Sequence, residues 1–244
     1  MRHHICIELS IDFLSKWHAG SGDGSLVSDR LIRRDSRNWP FIPGSTLKGV
    51  IRENCEKLSR TLLFKSPSDP HQRDLTIQDT FKPLKELDSP VDRLFGNTFE
   101  SGQLFFRDAR LDNTQLNDPQ PYYCLKNQSR VCKHRILRTS KEKHLFSTEY
   151  IIPSSVGSSM IFKTQIDGYH DHLKSLSDTE PPYAYCLLIA AIMLTQRIGG
   201  DKSTGSGQME IHFDNILYNQ NQLNKEEIFD YLDSELYQLS MEAA

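Results

Sequence analysis

Two stretches of this sequence combine glycine with lysine or arginine in a way suited to holding an anion. The first is WPFIPGSTLKG (residues 39–49), in which Gly44 and Ser45 follow two prolines and a helix is predicted to begin with Ser45 as its N-cap. Lys48 and Arg52 lie four residues apart near the start of that helix. Two cations there oppose the helix dipole, so the pattern favours a bound anion, with an ordinary capped helix as the alternative.

The second stretch is the glycine-rich loop RIGGDKSTGSGQM (residues 197–209), between a predicted helix and a predicted strand. Its glycines would let backbone N–H groups approach a phosphate, and Lys202 and Ser203 add donors. It is not a Walker A loop, because Asp201 precedes Lys202 and a strand follows. Alone, such a loop is usually structural. Together with the helix start it predicts a groove for a phosphodiester backbone.

Charge is distributed unevenly along the 244 residues. The formal net charge of -3 argues against a simple basic nucleic-acid-binding protein. Residues 126–143 nevertheless hold seven Lys and Arg and one Glu, whereas residues 221–244 hold one Lys and six Asp and Glu. The segment DRLIRRD (residues 29–35) is also basic. These basic stretches predict further contacts with a polyanion, although a solvated surface is the ordinary explanation of a charge run.

Composition excludes several other classes of protein. A hydrophobic content of 37% and a charged content of 25% are typical of a soluble globular chain, and the longest apolar run, residues 183–194, is too short to span a bilayer. The five cysteines form no CxxC pair, which favours reduced thiols in a cytoplasmic protein over a disulfide framework or a zinc site. His170 and His172 are predicted to lie in a loop and to bind no metal.

The elements that position these segments follow from hydrophobic periodicity. Apolar residues alternate over residues 5–13, which predicts a strand, and helical spacing predicts helices over residues 45–62 and 183–197. A basic hairpin is predicted with its turn at TSKEK, and the other predicted strands span residues 103–111, 160–166 and 208–217.

This order of elements predicts an α+β fold of the ferredoxin-like, RRM-like βαββαβ type, with a β-hairpin inserted into it. We expect one domain over residues 1–217, with insertions at about residues 64–90 and 112–152. Residues 218–244 are predicted to form an acidic tail with an amphipathic C-terminal helix.

Four separated motifs, in order, resemble the RAMP superfamily of CRISPR-associated proteins, and specifically the backbone subunit of type III effector complexes. They are WHAGSGDGSLVSDRLIRRD–WPFIPGSTLKGVIR, RLFGN–SGQLFFRDARL, FSTEYIIPSSVGSSMIF and IGGDKSTGSGQM. The resemblance covers roughly residues 5–217. It implies an RRM-like palm, a β-hairpin thumb, and cytoplasmic assembly along a guide RNA with target RNA and other protein subunits.

The resemblance also implies roles for individual residues. Asp29 matches the aspartate that cleaves target RNA in active members, so the chain is expected to be an endoribonuclease that needs Mg²⁺ or another divalent cation, which no recognisable motif would bind. The resemblance and the basic segments together give the residues expected to bind RNA: Ser45, Thr46, Lys48, Arg52, Gly199, Gly200, Lys202, Ser203, Arg30, Arg33 and Arg135.

Three alternatives remain open from the sequence. The chain could be a scaffold subunit of the same kind of complex that does not cut RNA. It could be a RAMP ribonuclease that processes repeat RNA with His18 as general base. A small-molecule enzyme on a ferredoxin-like fold is the third, and no pocket signature in the sequence supports it.

Overall fold

The computed structural model describes residues 2–25, 28–62, 89–97, 100–112, 124–153, 160–173, 181–224, 226–228 and 230. The helices are α1 (Gly44–Thr61), α2 (Pro90–Phe95) and α3 (Tyr183–Met193). The strands are β1 (His3–Phe13), β2 (Phe41–Ile42), β3 (Leu104–Phe106), β4 (Ala109–Leu111), β5 (Leu125–Lys133), β6 (Ser140–Ile151), β7 (Ile161–His170), β8 (Met209–Tyr218) and β9 (Asn221–Gln222).

The main sheet is antiparallel and has the order β2-β4-β7-β1-β8-β9, with β3 also paired to β7. The second long strand of this sheet, β7, thus lies between β1 and the short strands β3 and β4, as a split βαβ arrangement requires. Strands β5 and β6 form a separate two-stranded hairpin. The predicted α+β class and the predicted hairpin are confirmed.

The core lies between one face of the main sheet and the helices. The alternating apolar residues of β1 are buried as predicted. Its first half packs in one cluster with Ile51 of α1 and Leu187 of α3, and its second half, Ile11 and Phe13, packs in another. Helix α3 is buried on nearly every side, as its almost continuous apolar sequence predicts. A second cluster surrounds Trp17, which stacks on Phe13 with ring centroids 4.4 Å apart. No helix within the described ranges is long and apolar enough to cross a membrane.

One predicted strand is broken in the structure. Residues 103–111 form β3 and β4 with Arg107 and Asp108 between them, and both strands pair with β7. The start of α1 packs against this junction so closely that a Cβ on Gly44 would lie 2.2 Å from the Phe106 carbonyl oxygen. The break therefore brings Asp108 to the first residue of α1.

Other element boundaries also differ from the prediction. The hairpin turn lies over residues 134–139 and not at TSKEK, because His134 donates to the Thr139 carbonyl and closes the turn there. Strand β7 runs on to His170, so the YHDH segment is not wholly a loop; His170 is buried and its Nδ1 lies 2.8 Å from the Tyr185 hydroxyl. Helix α3 ends at Met193, four residues early.

The predicted tail and insertions are described only in part. Tyr218 belongs to β8, and β9 pairs with it, so the sheet extends past the predicted boundary at residue 218. Ile228 is buried in the main core cluster, and most of the predicted terminal helix lies outside the described residues. Residues 63–88 and 113–123, within the two predicted insertions, also lie outside them. Helix α2 was not predicted.

Candidate functional site

The start of α1 already has a carboxylate bound to it. Ser45 is not the N-cap: the helix begins at Gly44, with Pro43 in the N-cap position and no side-chain cap. The Gly44 N–H donates to Asp108 Oδ1 over 2.9 Å. A carboxylate near a helix N-terminus interacts favourably with the dipole, so the anion expected at this first turn is supplied by the chain itself. Ser45 and Thr46 remain in the first turn, and Ser45 is exposed.

Lys48 and Arg52 differ in their surroundings. Arg52 is engaged within the protein: its Nε lies 3.0 Å from Glu56, its Nη2 lies 3.6 Å from Asp92, and it donates to the Gly96 carbonyl. Lys48 is half-buried, and within the described part of the chain no carboxylate forms an ion pair with it. Burial, and secondarily the charge of Arg52, lowers the pKa of Lys48. An anion beside Lys48 would stabilise its charged form.

The glycines of the 197–209 loop have a packing role. Gly199 has φ of +87°, and a Cβ there would lie 2.3 Å from the carbonyl oxygen of His18. The Gly200 N–H donates to that same carbonyl over 3.0 Å. These two glycines were expected to let the backbone approach a phosphate. In the structure they let the loop pack against the backbone at His18.

The same loop contacts both α1 and the hairpin. Lys202 Nζ lies 3.9 Å from Glu53 Oε2 of α1, in a half-exposed pair, so the loop and the first helix are neighbours. Asp201 Oδ1 lies 3.1 Å from Arg130 of β5, and its Oδ2 accepts from the Tyr150 hydroxyl of β6. The hydrogen bond from Tyr150, then the charge of Arg130, lowers the pKa of Asp201. Burial, with that hydrogen bond and the Asp201 charge, raises the pKa of Tyr150 to about 12.

The base of the hairpin gathers cationic side chains around Tyr150. Lys16 Nζ lies 4.6 Å and the Arg130 guanidinium 5.5 Å from the centroid of its ring. Arg30 approaches the ring of Phe146, four residues earlier in β6, at 5.8 Å. Arg33 is exposed and lines a cavity of about 500 Å³, together with Ser21, Asp23 and the neighbouring residues 31–34. We call the group Lys16, Arg30, Arg130 and Lys202 the hairpin-base cations.

Asp29 lies at the outer edge of β6. Its carboxylate Oδ2 accepts from the Ser147 N–H over 2.7 Å, and its own N–H donates to the Ser147 carbonyl over 3.1 Å. Next along the chain, the Glu149 N–H donates to the Arg30 carbonyl. The Asp29 side chain is exposed. The predicted catalytic residue is thus accessible and lies beside the basic side chain of Arg30.

Glu149 is a functional candidate that the sequence did not single out. It is buried, its Oε2 accepts from the Ile32 N–H over 3.1 Å, and its Oε1 is paired with Arg34. It therefore fixes the segment that follows Asp29. The residue lies within the motif FSTEYIIP, and nothing in its spacing indicated a contact with residues 117 positions away.

Two other predicted residues lie apart from this group. His18 is 6% exposed, and its Nδ1 is hydrogen-bonded to the Glu149 carbonyl, which does not favour a general base acting on RNA. Arg135 lies in the hairpin turn, beyond the end of β5, and is exposed. Beside it Ile136 is 85% exposed and Leu137 is 67% exposed, so the hairpin tip is both basic and apolar.

The protein alone offers little to bind a metal ion. Among the residues that the structure describes, no group of three or more His, Cys, Asp or Glu could hold one. Asp29 offers one carboxylate oxygen, its Oδ1, that accepts no hydrogen bond from those residues. Mg²⁺ commonly takes one or two carboxylates and completes its shell with water and substrate phosphates, and only a site of that kind fits here.

Comparison with known proteins gives a family match and a relative in sequence. The family model of the RAMP superfamily matches residues 10–210. The CRISPR system Cms endoribonuclease Csm3 of Streptococcus thermophilus is 32% identical over 110 residues, which are 41% of this chain and 42% of that protein. The aligned part is thus less than half of that relative's length.

Solved structures share the fold. A chain in the cryo-EM structure of the type III-B Cmr-β complex bound to cognate target RNA superposes with a TM-score of 0.52 and 14% identity, covering 85% of this chain and 96% of that chain. A chain from the apo state of the same kind of complex gives a TM-score of 0.53 and 13% identity, covering 86% and 97%.

Proposed function

Because the chain belongs to the RAMP superfamily, we propose that it is a guide-RNA-binding backbone subunit of a type III CRISPR effector complex and that it cuts target RNA with Asp29. The observation that carries this proposal is the convergence of three basic segments at the base of the hairpin. Residues 29–34, strand β5 and the glycine-rich loop meet there through Ser147, Tyr150 and Asp201.

The RNA-binding part of the proposal rests on charge and exposure. The hairpin-base cations come from four separate parts of the chain, and Lys48 adds a cation without a described partner near the start of α1. Cationic side chains along a groove bind the phosphate backbone without reading sequence, while base pairing with the guide supplies the specificity. The relatives, an endoribonuclease and a subunit of a complex bound to target RNA, support the same class of ligand.

The cleavage part rests on the position of Asp29. RNA carries its own nucleophile: the ribose 2′-hydroxyl attacks the adjacent phosphorus and gives up its proton to a base. The bond to the 5′-oxygen breaks, and that oxygen takes a proton from water, which leaves a 2′,3′-cyclic phosphate and a 5′-hydroxyl. Asp29 Oδ1 is free to accept that proton, while Oδ2 is held by Ser147. A divalent cation, when bound, would supply positive charge against the scissile phosphate. The protein's part is to align the strand and take up the proton.

The test compares two alanine variants of the same loop within the assembled complex, with guide RNA and partner subunits present. Asp29→Ala should lower target cleavage by at least about 100-fold, as loss of a general base does, while leaving guide-RNA binding and assembly unchanged. Asp23→Ala, which removes a nearby exposed carboxylate, is the matched control and should cut normally. A target with a 2′-deoxyribose at the scissile position should resist cleavage.

Three results would count against the proposal. If Asp29→Ala loses RNA binding to the same extent as cleavage, Asp29 is not the catalytic residue. If Asp29→Ala and the unaltered chain cut target RNA equally well, Asp29 has no catalytic role. A complex that binds target RNA and never cuts it would indicate a scaffold subunit without cleavage.

A further inference from the structure

The outer edge of β6 is covered by two segments of the chain that lie far from it in sequence. Strand β6 pairs with β5 on one side, with Ser129 opposite Ser147. The N–H groups of Ser147, Glu149 and Ile151 point to the other side, where they donate to Asp29, Arg30 and Trp17 respectively. Alternate residues of a strand present their N–H groups to the same side, so this edge forms one continuous row of donors.

The row ends at Ser147, and its last donor binds a side chain instead of a backbone carbonyl. The Ser147 N–H lies 2.7 Å from Asp29 Oδ2, whereas the Ser147 hydroxyl is 3.5 Å from the same oxygen, so the main-chain bond is the stronger contact. The Asp29 N–H returns a bond to the Ser147 carbonyl over 3.1 Å. The backbone and the carboxylate of Asp29 are therefore both fixed to the hairpin.

From this arrangement we propose that Ser147 is a positioning residue: its main-chain N–H holds Oδ2 of Asp29 so that Oδ1 faces outward to the RNA. The inference rests on the proposed cleavage function and deepens it, because it names the group that sets the orientation of the reacting carboxylate. A bond of 2.7 Å to a carboxylate is a charge-assisted hydrogen bond, and it selects one rotamer of a side chain that is otherwise exposed.

Asp29 is mechanically coupled to the hairpin through Ser147. A change in the position of the hairpin moves Ser147 and therefore Asp29 with it. Glu149 reinforces the link, because its carboxylate binds the Ile32 N–H and Arg34 on the same segment. The hairpin and the reacting carboxylate would thus move as one unit when RNA enters.

The experiment uses proline to delete one N–H group. The Ser147 N–H points away from β5, so Ser147→Pro removes the bond to Asp29 without removing a hydrogen bond of the β5–β6 ladder. Ser147→Ala keeps the N–H and removes only the hydroxyl. Leu145→Pro is the matched proline control: by alternation its N–H also points away from β5, and no described residue accepts from it.

In single-turnover cleavage by the assembled complex, Ser147→Pro should lower the rate of the chemical step by about 100-fold, the effect of misplacing a reacting group by about 1 Å. The dissociation constant for target RNA should be unchanged, and so should assembly. Ser147→Ala and Leu145→Pro should cut within about threefold of the unaltered chain, since neither removes the bond from the Ser147 main-chain N–H to Asp29.

The outcomes separate this inference from the function it depends on. If Ser147→Pro cuts like Leu145→Pro, the positioning role is wrong while cleavage by Asp29 stands. If Asp29→Ala cuts normally, the cleavage function is wrong regardless of Ser147. If Ser147→Pro fails to assemble, Ser147→Ala decides. A loss of cleavage of about 100-fold in Ser147→Ala would mean that the hydroxyl, and not the N–H, positions Asp29, and it would overturn the inference.

Discussion

Acidification should destabilise this protein through His170. The side chain is fully buried between β7 and α3, with its Nδ1 bonded to the Tyr185 hydroxyl. Burial, and next the charges of His172 and His3, lowers the pKa of His170 from 6.5 to about 4, while a hydrogen bond with the Leu94 backbone and the charge of Asp171 oppose the shift. The native state therefore excludes a proton that the unfolded chain accepts.

The direction and size of this change in the free energy of unfolding follow from the linkage between proton binding and unfolding. A folded pKa below the unfolded one gives stability that is complete above about pH 6.5 and is lost as the pH falls toward 4, because the unfolded state binds more protons in that range. Each unit of pKa difference corresponds to about 1.4 kcal/mol. The full effect is about 3 kcal/mol, of which about 2 kcal/mol is already lost at pH 5.

Urea unfolding of the purified chain between pH 7.5 and pH 4.5 measures this loss, and a variant isolates it from the other histidines. His170→Gln keeps a polar partner for Tyr185 and removes the titrating group, so its stability should fall with pH by about 2 kcal/mol less than that of the unaltered chain at pH 5. His212→Gln, which removes a histidine that is 62% exposed, is the matched control variant. Identical pH profiles for the unaltered chain and His170→Gln would refute the reasoning.

Two further predictions concern backbone contacts near the site, each checked by urea or thermal unfolding. Asp108→Ala leaves the first N–H of α1 without its carboxylate and should cost about 1 kcal/mol, whereas Asp108→Asn, which keeps an acceptor, should cost less; equal losses would contradict the charge contribution. Gly199→Ala should destabilise by more than Gly205→Ala, because both have φ of +87° but only at Gly199 does the new Cβ meet backbone, at 2.3 Å. Gly205→Ala should lower the free energy of unfolding by only about 1 kcal/mol. If Gly199→Ala lowered it by less than Gly205→Ala does, the predicted clash at Gly199 would be wrong.

Local periodicity was enough to predict the core-facing elements. The alternation over residues 5–13 and the apolar run of α3 are each set by burial against neighbouring elements, and both were predicted within a few residues. The order of those elements then gave the α+β class. The hairpin was predicted from its basic, strand-forming sequence, but its turn was misplaced because Arg138 adopts φ of +53°, which no local motif indicated.

Contacts between distant residues could not be predicted. Asp108 binds Gly44 across 64 positions, and Ser147 binds Asp29 across 118. Both bonds depend on where the sheet brings two segments together, and sequence pattern carries no information on such pairings. The same reason explains why Ser45 was assigned the N-cap: its residue type fits that role, whereas the cap actually used comes from another element.

Strand β1 pairs with β7 and β8, which are the last two long strands of the sheet. A chain emerging from the ribosome therefore keeps β1 unpaired until residues 161–170 have been made, and keeps its second edge open until residues 209–218 have been made. Pairings of such long sequence separation form slowly, and the waiting strand can bind another chain in the meantime. A truncation before residue 209 would leave β1 permanently as an open edge, so shortened forms of this protein should aggregate during synthesis, not simply lose activity.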